Sequence, residues 1–146
     1  MLTGSSATSK LNDGSRCAVA TKGGLLRKRI LLVDDTLTVL TLEQVLLGAE
    51  FEFVTAKNGA DAIKTAIARK PDLILMDINM PVMDGVESLR QLKSDDATKH
   101  IPVVMVTTRG EAVNQARCRE LGCDGFLTKP LDRDRLQETV RLILNR

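Results

Sequence analysis

Tryptophan and tyrosine are absent from this 146-residue chain, and three phenylalanines supply its whole aromatic content of 2%. Base-stacking platforms for single-stranded nucleic acid are therefore missing. Histidine occurs once, at His100, just before Ile101-Pro102, where it reads as a surface residue. The three cysteines, Cys17, Cys118 and Cys123, are odd in number and lack paired metal spacing. They read as reduced thiols in a cytosolic protein, and zinc has no ligand cluster to draw on. No apolar run is long enough to span a membrane, and the first residues hold no apolar stretch of the roughly 7–15 residues that a secretory signal needs. A cytoplasmic place without membrane insertion is the expectation.

Charge of one sign is also lacking. The net charge is +2, of which residues 1–27 carry +3 through Lys10, Arg16, Lys22 and Arg27 against Asp13, leaving the remainder at −1. A nearly neutral body argues against a nucleic-acid footprint there. Residues 1–27, rich in Ser, Thr and Gly, read as a flexible polar leader, and residues 28–146 as one folded domain whose 43% hydrophobic content suffices for a single core.

What the chain does have is a set of short apolar runs, each ending in a polar residue: LLVDD at Asp34-Asp35, LILMD at Asp77, VVMVT at Thr107 and GFLTK at Lys129. Apolar runs of this length are what buried parallel strands look like, and the carboxyl ends of such strands line the ligand crevice of an open α/β sheet. Helical patterns alternate with them, predicting five βα units and a parallel sheet covered on both faces. The first helix is read with Val39, Leu42 and Leu46 inward and Gly48 ending it. Phe51 to Thr55 alternates apolar and polar, which suits an edge strand. Asn58 is read as capping a second helix with Ile63, Ala66 and Ile67 inward, stopped before Pro71. Asp84-Gly85 opens a third, with Val86, Leu89 and Leu92 buried, while Val113, Ala116 and Leu121 mark the fourth and Leu136, Val140 and Leu144 the last.

Three acidic side chains on one sheet edge require a counter-charge, since two unit charges about 4 Å apart repel by roughly 4 kcal/mol at an effective dielectric near 20. A hard divalent cation supplies it. Mg²⁺ takes oxygen ligands and is commonly held by one or two carboxylates plus a phosphate, so Asp34, Asp35 and Asp77 suit it. Taken singly, Asp34 or Asp35 fits a helix N-cap equally well, Thr107 an ordinary β-branched strand position, and Lys129 a solvated surface. Asp77 is different, because a charge at a buried strand end is expensive without a partner.

Asp-Asp, Asp, Thr and Lys-Pro in this order, at separations of 42, 30 and 22 residues from Asp35 to Lys129, together with MDINMPVMDG at 76–85, resemble the receiver domain of bacterial two-component response regulators. The resemblance covers residues 28–146 and is closest in kind to stand-alone, chemotaxis-type regulators. It implies a flavodoxin-like (βα)5 doubly wound sandwich, with a five-stranded parallel sheet in the order 2-1-3-4-5. It also implies that Asp77 accepts a phosphoryl group from a sensor histidine kinase or phosphotransfer protein. Asp34, Asp35, Asp77 and the backbone carbonyl of Asn79 would hold Mg²⁺, Lys129 would pair with a phosphoryl oxygen, and Thr107 would donate to another. Thr107 and Phe126 would form the switch that alters the face of the fourth helix, fifth strand and fifth helix, and so regulates a downstream protein. A cis Lys129-Pro130 bond is expected on the same ground. Such a domain would catalyse only its own phosphorylation and slow dephosphorylation, so it is not read as an enzyme. Phosphorylation-dependent dimerisation stays open.

Some positions depart from the family's common pattern. Phe126 stands where tyrosine is frequent, so its movement must run on packing alone. Thr108 stands where a smaller residue is usual, and with Arg109 it predicts slowed loss of the phosphoryl group. A haloacid-dehalogenase-type phosphatase would need Asp at position 36, which is Thr36, and a dinucleotide fold would need a glycine-rich turn after the first strand. The competing readings are a receiver-fold adaptor that phosphorylation no longer controls and a receiver fragment of a larger regulator. The chain stops after the last helix, so it is expected either to dock on another protein or to belong to something longer.

Overall fold

The computed structural model describes residues 27–108 and 112–145; the expectations for the leader, for Arg109 and for the Val113 side chain fall outside the described residues. Five strands alternate with five helices: β1 (Lys28–Val33), α1 (Leu37–Leu47), β2 (Phe51–Ala56), α2 (Gly59–Arg69), β3 (Leu73–Asp77), α3 (Gly85–Ser94), β4 (Val103–Thr107), α4 (Ala112–Leu121), β5 (Gly125–Thr128) and α5 (Arg133–Leu144). All paired strands run parallel, in the order β2-β1-β3-β4-β5. This is the flavodoxin-like arrangement, with β2 at an edge as its alternating pattern predicts.

The period of two along each strand divides the core into two layers. Leu31 and Val33 of β1, Ile74 and Met76 of β3, and Val103 and Met105 of β4 face the layer covered by α2, α3 and α4. Ile30, Leu32, Leu73, Leu75, Val104 and Val106 face the layer covered by α1 and α5, where Leu40, Leu47, Leu136 and Val140 close it. Every residue of β3 and β4 is buried, which is why both read as unbroken apolar runs.

Helix starts follow capping chemistry. Asn58 accepts from the Asp61 N–H at 2.8 Å, Asp84 from the Glu87 N–H, and Asp132 from the Arg135 N–H. Gly48, at φ 89°, ends α1, and Lys70 in the left-handed region ends α2 before Pro71. The Lys129-Pro130 bond is cis, as the resemblance implies.

Three helix faces differ from the sequence reading. The buried stripe of α1 is Leu40, Glu43 and Leu47, while Val39 and Leu46 are half-buried and Leu42 is 45% exposed. Apolar residues lie all round this helix, so its periodicity does not set its rotation. In α2 the small residues Gly59, Ala62 and Ala66 face inward and Ile67 is 43% exposed. A Cβ on Gly59 would lie 2.6 Å from the Met83 carbonyl oxygen, so close approach to the loop after β3 selects the small side. Among the described side chains of α4, Cys118 is buried, Leu121 half-buried and Ala116 exposed.

Candidate functional site

The parallel sheet brings the carboxyl ends of β1, β3, β4 and β5 to one edge, and the polar residues that close those strands meet there. Asp34, 1% exposed, is fixed on both sides: its N–H donates to the Ala56 carbonyl at 3.1 Å, and its Oδ1 accepts from the Thr36 N–H at 2.9 Å. Asp77 ends β3 and is also buried, whereas Asp35 is exposed at the mouth. One carboxylate oxygen from each of Asp34, Asp35 and Asp77 lies within 4.8 Å of the others. From β5, Lys129 reaches in and places Nζ 3.1 Å from Asp34 Oδ2 and 3.4 Å from Asp77 Oδ2.

Among the described residues one ammonium faces three carboxylates, which leaves their charge incompletely neutralised. Burial, opposed by Lys129 and aided by Asp34, lifts the Asp77 carboxyl to about 6. Burial alone would lower the Lys129 ammonium, but its hydrogen bond to Asp34 and the charges of both aspartates outweigh that and raise it. An all-oxygen donor set, incompletely neutralised and open on the Asp35 side, fits a hard divalent cation such as Mg²⁺.

The loop after Asp77 is tied down by backbone contacts that depend on two glycines. The Gly85 N–H donates to the Ile78 carbonyl at 2.8 Å, and a Cβ on Gly85 would stand 2.2 Å from the Asp77 carbonyl oxygen, so glycine alone lets α3 begin this close to that strand end. The Gly59 N–H donates to the Met83 carbonyl, and Ser88 Oγ donates to the Gly59 carbonyl at 3.0 Å, which joins α2 and α3 to the same loop. Asn79 lies exposed in this loop, two residues beyond Asp77. Val82, at φ 69° and 86% exposed, stands on its rim.

Thr107 ends β4 fully buried, with its hydroxyl donating to the Thr108 carbonyl at 3.1 Å, and its own carbonyl accepts from the Lys129 N–H at 2.8 Å. Thr108 is exposed beside it. Phe126 lies opposite Met105 in the β4–β5 register and is half-buried against the core layer of α2, α3 and α4. The structure thus gathers Asp34, Asp35, Asp77 and Lys129, sets Thr107 at the adjoining strand end, and keeps His100 exposed.

Sequence reasoning missed Glu43. It sits on the buried stripe of α1, 2% exposed, and its Oε1 has no hydrogen-bond partner among the described residues. Burial first, then the charges of Asp34 and Asp77, raise its carboxyl to about 8 against an opposing effect from Lys129. Glu43 is the single charged residue of α1, a fact that does not tell which way it faces.

The model of the response regulator receiver domain matches residues 30–141. The protein PilH of Pseudomonas aeruginosa is 38% identical over 117 residues, covering 80% of this chain and 97% of that protein. The polar-differentiation response regulator DivK of Brucella anthropi is 36% identical over 118 residues, covering 80% and 96%. The crystal structure of a putative response regulator from Chloroflexus aurantiacus superposes with a TM-score of 0.78 at 29% identity, covering 82% of this chain and 99% of that one.

Proposed function

The chain belongs to the response regulator receiver domain family, and we propose that it acts as a phosphorylation-dependent switch in a two-component phosphorelay, with Asp77 as phosphoacceptor. The observation that carries this reading is the convergence of Asp34, Asp77 and Lys129 within 3.4 Å contacts at one sheet edge. A carboxylate without its proton is the nucleophile, and a carboxyl lifted only to about 6 is mostly ionised at neutral pH.

An oxygen of Asp77 forms the new P–O bond as the donor's P–N bond breaks, and the departing imidazole nitrogen of a sensor kinase or phosphotransfer protein takes up a proton. Lys129 turns from bridging two carboxylates to pairing with a phosphoryl oxygen. Asp34, Asp35 and Asp77, with the Asn79 carbonyl, would hold Mg²⁺, whose chemistry there is neutralisation of charge on the phosphoryl oxygens. The loop held by Gly85 keeps Asp77 in place, so positioning rather than general acid–base work supplies the rate.

In place of the carboxylate's −1 the phosphoryl group brings about −1.5 to −2 charge, a net gain of about −0.5 to −1, and three acceptors. Thr107 donates its hydroxyl to one of them in exchange for the Thr108 carbonyl, and the space it leaves admits Phe126. The face formed by α4, β5 and α5 changes, and a downstream protein that prefers the changed face is regulated by it. The domain turns over no external substrate. Among the described residues no helix is long and apolar enough to cross a membrane, and we place the switch in the cytoplasm, where phosphodonor kinase domains work.

Incubation with acetyl phosphate and Mg²⁺ tests this: intact mass should rise by one phosphoryl group in the wild type and stay constant in Asp77→Asn. An unmodified wild type would favour the phosphorylation-independent adaptor instead.

A further inference from the structure

The guanidinium of Arg119, in the last turn of α4, lies over the ring of Phe126 with Cζ 5.1 Å from the centroid. Arg119 is exposed, and Phe126 is half-buried against the layer that contains Met105 and Cys118. Phenylalanine has no hydroxyl, so no hydrogen bond from its side chain can hold this ring in place. Packing on one side and a cation over its π-face are the forces available to place it.

We infer that Arg119 is a positioning residue that latches Phe126 in its resting place, so that the switch must break this cation–π contact to move. The inference rests on the reading above, in which Thr107 is drawn toward the phosphoryl group and Phe126 follows it inward. Moving the ring from the α4 surface toward Thr107 separates it from the guanidinium, while the resting state keeps the contact. The contact therefore favours one of two states, and only such differential stabilisation can shift their populations. At an exposed site a contact of this kind biases the balance by about two- to five-fold. It follows that the Arg119–Phe126 pair couples α4 and β5, two elements of the output face.

The test is titration of the Mg²⁺-loaded protein with beryllofluoride, a non-hydrolysing stand-in for the phosphoryl group. The environment of Phe126 is followed by fluorine NMR on 4-fluorophenylalanine-labelled protein. Arg119→Ala should tighten the apparent affinity about two- to five-fold, because the competent state is more populated before ligand arrives, and should move the free-state Phe126 signal toward its bound position. The same substitution made in a Phe126→Leu background, with affinity read in both backgrounds from the fluorine signal of the bound beryllofluoride itself, should leave the affinity unchanged, since the ring it acts on is gone. A structural role for Arg119 would not depend on the ring. Equal affinities for wild type and Arg119→Ala, or an equal gain with and without the ring, would overturn the latch alone. A wild type that gives no beryllofluoride response would overturn the phosphoacceptor reading and the latch with it.

Discussion

Lys129 Nζ stands 3.1 Å from Asp34 Oδ2, across 95 residues of chain, and this pair joins the ends of β5 and β1 over the end of β3. Because the same ammonium also lies 3.4 Å from Asp77, it restrains two buried carboxylates at once. Lys129→Ala removes that restraint. The Asp77 carboxyl should then rise above its present value of about 6, visible in an NMR titration, and phosphorylation by acetyl phosphate should slow by about 10²-fold. An unshifted Asp77 would show that Lys129 does not act on it.

Glu43 makes stability depend on pH. Its folded carboxyl is raised from 4.5 to about 8, so the folded state keeps a proton that the unfolded chain releases. The stability that the neutral Glu43 carboxyl contributes is complete below about 4.5 and is lost as pH rises through about 8, by on the order of several kcal/mol in total. Asp77, raised from 3.8 to about 6, adds to the fall only at lower pH, so the interval from 6.5 to 8.5 isolates Glu43. Urea midpoints across that interval should decline in the wild type and stay level in Glu43→Gln.

Gly85→Ala would place a methyl group 2.2 Å from the Asp77 carbonyl oxygen, a backbone atom of a fully buried strand that cannot swing aside. A loss of about 1–3 kcal/mol in unfolding free energy is expected, as for overpacked sites. Because the displaced group is the phosphoacceptor's own backbone, phosphorylation should fall more than the stability loss explains. Denaturant curves paired with mass-monitored phosphorylation separate the two effects.

Thr108 is exposed beside the end of β4, next to the buried Thr107 hydroxyl. If its bulk restricts the approach of water, Thr108→Ala should shorten the lifetime of the acyl phosphate by several-fold, on the order of 1 kcal/mol of barrier. Timed loss of the phosphoryl mass measures it, and an unchanged lifetime removes the role.

Most of this architecture could be read before any coordinates because both layers need buried strands. β3 and β4 are apolar at every position but the last, so their boundaries, their central place and their terminal Asp77 and Thr107 are legible together. Capping residues made two helix starts legible in the same way, at Asn58 and Asp84, while the cap at Asp132 emerged only from the structure. Helix rotation was less legible. Seven of the eleven residues of α1 are apolar, so nothing in the pattern shows that Glu43 turns inward while Leu37 and Val45 stay out. Ile67 faces outward because α2 approaches its neighbours through Gly59, Ala62 and Ala66, a packing constraint that hydrophobicity does not encode. Arg119 escaped notice for a related reason: its contact with Phe126 depends on how α4 is turned against β5.

On the proposed function, one carboxylate, at the end of β3, takes the phosphoryl group. Borohydride reduces an acyl phosphate of aspartate to homoserine, so reduction of the phosphorylated protein followed by peptide sequencing reports the modified position directly. Homoserine is expected at position 77, with aspartate retained at Asp34 and Asp35. Homoserine at either of those two, or a phosphoryl group that survives reduction on a hydroxyl side chain, would contradict it.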